Sequence, residues 1–240
     1  MAAPILKTVG LSKRYETNGH KVNALSNVNL EIMKGDFVAV MGPSGSGKTT
    51  LLTLLGCLDK PTGGKVLMGS GGLDVTAIPE ASLYKIRRKY VGFIFQNFNL
   101  MSNLSAIENV ELAMGGLIRS AKTRQKRARI LLRMVGIAHR EKHKPDQLSA
   151  GEQQRVAVAR ALANGPAVIL ADEPTGNLDS ETGVSIMGVL RELNNKQKRT
   201  IIMVTHDPLM ASFASRKLFL RDGKLQKEES VSQDKSPSSG

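Results

Sequence analysis

Residues 37–55 read FVAVMGPSGSGKTTLLTLL: five apolar residues, a glycine-rich octapeptide ending in Lys48-Thr49, and a run that suits a helix. The octapeptide 42–49 fits GxxxxGK(S/T), and Phe37-Val38-Ala39-Val40-Met41 predicts the buried strand that such a loop requires before it. A strand feeding this turn lets successive backbone N–H groups curl around a β-phosphate, and the helix that follows from Thr50 to Leu55 adds the positive end of its dipole. The candidate cradle is Gly42, Pro43, Ser44, Gly45, Ser46, Gly47, Lys48, Thr49 and Thr50. In it Lys48 is placed to reach the β- and γ-phosphates, and the Thr49 hydroxyl to bind Mg²⁺. Alone, the loop says only that a phosphate is held.

A second pattern supplies what a phosphate loop lacks. Val168-Ile169-Leu170-Ala171-Asp172-Glu173 is a buried strand with two acids at its carboxyl end, where open parallel sheets place their ligands. Asp172 is the candidate metal carboxylate, and Glu173, one residue on, the candidate general base for an attacking water.

Around these two strands the chain reads as α/β. Val28, Leu30 and Ile32 alternate with polar residues, which predicts a half-buried strand in an antiparallel layer over about 4–36, with another strand near Lys65–Met68. Tyr90–Phe95 predicts a short strand ending at Gln96, and from 97 to about 163 the pattern turns helical, with a last helix starting near Ser149. AVILA at 167–171 and TIIMVT at 200–205 lack polar alternation, so both belong inside a sheet covered on two faces. The helical pattern of Thr182–Asn194 between them makes a βαβ crossover. Arg221-Asp222-Gly223-Lys224 predicts a closing hairpin, and residues 230–240 are expected to be a disordered tail.

Composition narrows the class less than the motifs do. With 240 residues and 41% hydrophobic content the chain can bury a real core, and no apolar run approaches the roughly 20 residues of a membrane helix. The first residues lack the apolar segment of a signal peptide, so a soluble, intracellular chain is expected. Cys57 excludes an internal disulfide and reads as a small core residue. The net charge of +13 suits nucleic acid, an anionic membrane surface or nucleotide phosphates alike. Much of the excess lies between Arg119 and Lys144, where Ala128, Leu131, Leu132 and Val135 mark the inner face of an amphipathic helix. Its basic outer face can be a solvated surface, a patch near a cytoplasmic leaflet, or a nucleic-acid contact.

Leu148-Ser149-Ala150-Gly151-Glu152, followed by QQRVAVARALA, precedes the acid pair. Ser149 is a candidate N-cap, and the free N–H groups at Ala150 and Gly151 make a second anion site at a helix start; Glu152 fits a capping box. Here the sequence resembles the ATPase subunits of ABC transporters, whose signature reads LSGGQ or LSGGE. The resemblance covers about residues 5–226. It implies a P-loop NTPase fold with a RecA-like, mostly parallel core sheet, an antiparallel β subdomain and an α-helical signature subdomain. Within one ATPase domain over 1–229, the core and β layer would take about 1–96 and 164–229, and the helical subdomain about 97–163.

The same resemblance implies roles. Tyr15 matches the aromatic that stacks on adenine, and Gln96 a metal and water contact between core and helical lobe. Asp179, in GNLD at 176–179, matches a loop crossing a dimer interface, and His206 the γ-phosphate contact beside Glu173 and Lys48. ATP and Mg²⁺ are the implied ligands. The implied partners are an integral membrane permease and a second copy of the chain, or a homologous ATPase, in a head-to-tail dimer. In that dimer Ser149 and Gly151 face the other subunit's γ-phosphate, and the chain sits on the inner face of the membrane through the permease.

One residue departs from the pattern: Ala150 stands where the signature has its first glycine, and its methyl restricts φ and occupies space beside the partner's phosphate. LLGCLDKPTGG (54–64), VGFIFQNFNL (91–100) and ADEPTGNLDSETG (171–183) resemble the lipoprotein-release and macrolide-export branch. Its members drive conformational change in a membrane subunit for efflux. A soluble ATPase of this superfamily acting on DNA or ribosomes is the alternative. Those relatives carry two cassettes or a long coiled coil, whereas the interval between Lys48 and Leu148 suits a compact helical lobe, so no specific nucleic acid partner is expected.

Overall fold

The computed structural model of the chain describes residues 3–17 and 20–230. Strands β1 (Leu6–Thr17) and β2 (His20–Ile32) pair antiparallel, and β3 (Phe37–Met41) leads into the phosphate loop and α1 (Lys48–Leu55). β4 (Gly63–Met68) and β5 (Leu73–Asp74) complete a four-stranded antiparallel sheet in the order β2-β1-β4-β5. In β2, Val28, Leu30 and Ile32 are buried while Asn29 and Glu31 are exposed, the alternation that a sheet with one wet face demands.

Helix α2 (Glu80–Tyr90) runs into β6 (Val91–Ile94). Tyr90 therefore ends a helix instead of starting a strand, a correction to the reading of 90–95. Leu83, Ile86 and Tyr90, at i, i+3 and i+7, form a short apolar stripe against the core, with Pro79-Glu80 at the start and Arg87, Arg88 and Lys89 at the end as further helix signals.

The helical region comprises α3 (Ala106–Met114), α4 (Ala121–Met134) and α5 (Ala150–Leu162). Ser105 and Ser149 each cap their helix through a capping box, with Glu108 and Glu152 as the third residue. On α4, Ala128, Leu131 and Leu132 face the core, and several of the basic residues are tied down: Arg127 donates to Ala163 O and Arg129 pairs with Glu141.

β7 (Val168–Asp172), α6 (Ser180–Gln197) and β8 (Thr200–Val204) form the crossover, followed by the short α7 (Pro208–Ala211) and the hairpin β9 (Arg216–Arg221) and β10 (Lys224–Ser230). The hairpin loop Asp222-Gly223 has positive φ at both residues, as a two-residue primed turn requires. The tail expectation falls, beyond Ser230, outside the described residues.

These strands build a six-stranded sheet in the order β10-β9-β3-β8-β7-β6, parallel except for β10. Its strands feed two cores. Phe37, Ala39, Ile169, Ala171, Ile201 and Met203 face one side with the helical region, while Val38, Val40, Val168, Leu170, Ile202 and Val204 face α1 and the antiparallel sheet. Because β3, β8, β7 and β6 are adjacent and parallel, four carboxyl ends open on one edge, and every loop that leaves that edge can carry a functional group.

Candidate functional site

The loop after β3 closes over α1 with Gly47 at φ 101°, and a Cβ there would also lie 2.3 Å from Ala24 O, so only glycine fits. Lys48 is buried, and its Nζ donates to Gly42 O (2.9 Å) and Pro43 O (2.8 Å) across the mouth of the loop. The hairpin at Asp222-Gly223 braces the loop from outside: Gly223 N donates to Ser46 O at 3.0 Å, and Ser26 N to Gly223 O at 2.9 Å.

At the end of β7, Asp172 accepts a hydrogen bond from Thr49 Oγ1 at 3.3 Å. Burial pushes its carboxyl above the usual aspartate range, and the charge of neighbouring Glu173 pushes the same way; the Thr49 bond and Lys48 oppose them. A carboxylate held uncomfortably in its charged form beside a hydroxyl suits a cation. Asp172 and Thr49 together offer a carboxylate and a hydroxyl, hard oxygen donors of the kind that a small divalent cation takes.

Glu173 follows with φ 43°, left-handed for a non-glycine residue, held by its N–H to Val204 O at 3.0 Å. Its Oε1 lies 3.0 Å from Nδ1 of His206, which follows the end of β8. Gln96, after β6, lies alongside: a Cβ built on Gly176 would be 2.7 Å from Gln96 Nε2 and 3.3 Å from Glu173 Oε2. Asn177 Nδ2 donates to Gln96 O at 3.0 Å and pins the two loops together. Four loops thus converge on one edge. The loops after β3, β7 and β8 line an open cleft of about 740 Å³ through Ser44, Lys48, Thr49, Glu173 and His206, while Gln96 and Asp172 lie outside its lining.

Tyr15 sits at the rim without lining the cleft, its hydroxyl 2.9 Å from Asp59 Oδ2 and Lys13 Nζ 4.9 Å from its ring centre. The signature residues lie elsewhere. Ser149 and Ala150 are exposed at the start of α5 and outside the cleft, with Glu152 accepting from Ser149 N at 2.9 Å and pairing with Arg140 at 3.0 Å. Gly151 is hemmed by Thr182, whose Cγ2 would be 2.4 Å from an added Cβ, whereas the Ala150 methyl stands in a helical residue facing solvent. Asp179 caps α6 by accepting from Thr182 N at 2.9 Å, so its carboxylate is committed to the helix start.

The sequence reading missed Asn177 as a contact, the Asp222-Gly223 brace and the Val22–Ala24 wall of the cleft. Asn177 lies inside the GNLD motif at 176–179; the other two depend on tertiary contact and have no local signal.

Three kinds of similarity accompany this geometry. The family profile described as "ABC transporter" matches residues 25–176. An uncharacterized ABC transporter ATP-binding protein of Methanocaldococcus jannaschii is 48% identical over 231 residues, covering 95% of this chain and 97% of that protein. A macrolide export ATP-binding/permease protein of Aeromonas hydrophila is 45% identical over 95% of this chain, which spans only 35% of that longer relative. Among solved structures, a dimeric post-hydrolysis state of an ATP-binding cassette bound to ADP and Pi superimposes with a TM-score of 0.86 at 47% identity, covering 94% of this chain and 98% of that one.

Proposed function

The chain belongs to the ABC transporter family as an ATP-hydrolysing, ATP-binding subunit, and from that premise we propose that it works as a head-to-tail dimer driving a separate membrane permease of the lipoprotein-release or macrolide-export kind. No described helix is long and apolar enough to cross a membrane, so attachment to the inner face of the membrane would come through the permease.

In this reading the loop N–H groups hold the ATP phosphates, and Lys48 exchanges its carbonyl partners Gly42 and Pro43 for the β- and γ-phosphate oxygens. Thr49, Asp172 and Gln96 would hold Mg²⁺, which supplies charge neutralisation of the phosphate oxygens. Glu173 takes a proton from water as the water oxygen attacks Pγ in line and the bond from Pγ to the β,γ-bridging oxygen breaks. His206 steadies the Glu173 carboxylate, and Tyr15 offers a face to adenine. Ser149, Ala150 and Gly151 of one chain, with Asp179 at the interface, close on the γ-phosphate bound by the other.

The observation that carries the two-chain reading is the exposure of Ser149 and Ala150 at a capped helix start that lies outside their own cleft. An anion site built this way needs a phosphate from elsewhere. The test is size-exclusion chromatography of Glu173→Gln with Mg-ATP, beside phosphate release by the parent chain. The expected result is a dimer that returns to monomer on nucleotide removal, and a parent that hydrolyses ATP. A variant that stays monomeric at saturating ATP overturns the dimer mechanism.

A further inference from the structure

Gln154 is fully buried on α5, in the second turn of the helix that Ser149 caps. Its Nε2 donates to Pro174 O at 2.6 Å, while its Oε1 is buried with no hydrogen-bond partner among the described residues. A carbonyl only accepts, so the amide nitrogen must face it. Glutamine is seldom fully buried, and half of this amide is left unsatisfied where a methionine or leucine would bear no such cost. The position therefore sacrifices stability for one hydrogen bond.

That bond lands on the carbonyl of Pro174, the residue that directly follows Glu173 in the turn. Glu173 has a left-handed φ of 43° and precedes a proline, which restricts it further. Its own N–H is held by Val204 O of β8, and its carbonyl by Gly176 N within the same turn. Gln154 brings a restraint from the signature helix. It rides on a helix whose other end, about 7 Å away by helical rise, carries Ser149, and Gly151 packs that end against Thr182.

We propose that Gln154 is a positioning residue that couples the two ATP sites of the dimer within a single chain: it transmits the seating of Ser149 on the partner's phosphate to the Glu173 carboxylate of its own site. The inference rests on the composite-site reading above. When the partner's γ-phosphate draws the start of α5, the rigid helix carries Gln154 with it, and the Pro174 carbonyl follows. Each base is then aimed only when the opposite site is filled, so hydrolysis depends cooperatively on ATP.

The experiment measures phosphate release against Mg-ATP for the full chain, Gln154→Met and Gln154→Leu, with the melting temperature of each. Both variants keep the volume and lose the donor. The expected result is a parent with a Hill coefficient above one, and variants with turnover at least tenfold lower, KM within twofold, a Hill coefficient near one and an undiminished melting temperature. Turnover within twofold of the parent in either folded variant overturns the proposal. So does failure of both variants to fold, which would assign Gln154 to stability. A parent that hydrolyses ATP without cooperativity, with Glu173→Gln monomeric, fails the two-chain reading itself and takes this inference with it; a dimerising Glu173→Gln with unaffected Gln154 variants fails the inference alone.

Discussion

His206 Nδ1 lies 3.0 Å from Glu173 Oε1, joining the loops that follow two adjacent parallel strands. The carboxylate accepts, so Nδ1 is the donor in this contact. Val204 O and Gly176 N hold the left-handed backbone of Glu173, and the His206 contact restrains the carboxylate itself. His206→Ala is expected to lower turnover by roughly 100-fold, the scale on which a catalytic group misplaced by about 1 Å slows a reaction, with KM for ATP within about twofold. Steady-state phosphate release checks both numbers; a turnover loss below threefold would remove His206 from the mechanism.

Asp172 gives a prediction about stability. Its pKa is raised, by burial first, so the folded state binds more protons than the unfolded state above the ordinary aspartate value, and stability falls as pH rises through that window. The destabilisation is complete above the folded pKa. Asp172→Asn removes it while keeping an acceptor for Thr49, so the ligand-free variant is expected to melt about 2 °C higher at neutral pH, with the gap closing toward acid pH. The same variant should lose Mg²⁺-dependent hydrolysis. Thermal melts across pH without nucleotide decide the first point.

How much was legible depended on where the cause lay. β3, β7 and β8 are buried on both faces, and a continuous apolar run is the direct record of that burial. The phosphate loop and the Ser149–Glu152 capping box are local chemistry and read locally. Helix α2 shows only a three-residue stripe, Leu83, Ile86 and Tyr90, amid charged residues, and its last residue runs directly into the apolar strand β6, which blurs the boundary. The bonds from Asn177 to Gln96, Gln154 to Pro174 and Gly223 to Ser46 join residues distant in the chain, and neither partner betrays the other until the sheet brings them together.

Glu152 holds the start of α5 in two ways, through Ser149 N and through Arg140, and the Ser149 backbone bond is the leading cause that keeps its carboxyl below the usual glutamate range. Glu152→Ala is expected to cost about 1 kcal/mol, lowering the melting temperature by roughly 2–4 °C. A lowered pKa stabilises above the unfolded value and is lost as pH falls through the folded one, so the difference between parent and variant shrinks on acidification. Ala150→Gly tests the neighbouring departure from the signature. The alanine is exposed and helical, so the change is expected to cost less than about 1 kcal/mol and leave turnover equal or faster; a large loss of turnover would mean the methyl is part of the site.

Tyr15, Asp59 and Lys13 form a triangle of contacts that fixes the tyrosine ring at the cleft rim. Its hydroxyl bonds Asp59 Oδ2 at 2.9 Å, Asp59 also pairs with Lys13 at 2.7 Å, and Lys13 lies over the ring. Burial, then the bond to Asp59, raises the phenol pKa, so the hydroxyl stays a donor throughout the neutral range. With one ring face occupied by Lys13, the other is the surface on which a base can stack. If Tyr15 holds adenine, Tyr15→Ala forfeits a stacking energy of about 1–3 kcal/mol, or roughly 5- to 150-fold in ATP affinity, and leaves inorganic triphosphate binding unchanged. Asp59→Ala keeps the ring but frees its tilt, so a smaller loss confined to ATP is expected. Titration calorimetry with both ligands separates the cases: equal weakening toward ATP and triphosphate would place Tyr15 in the support of the loop and not under the base.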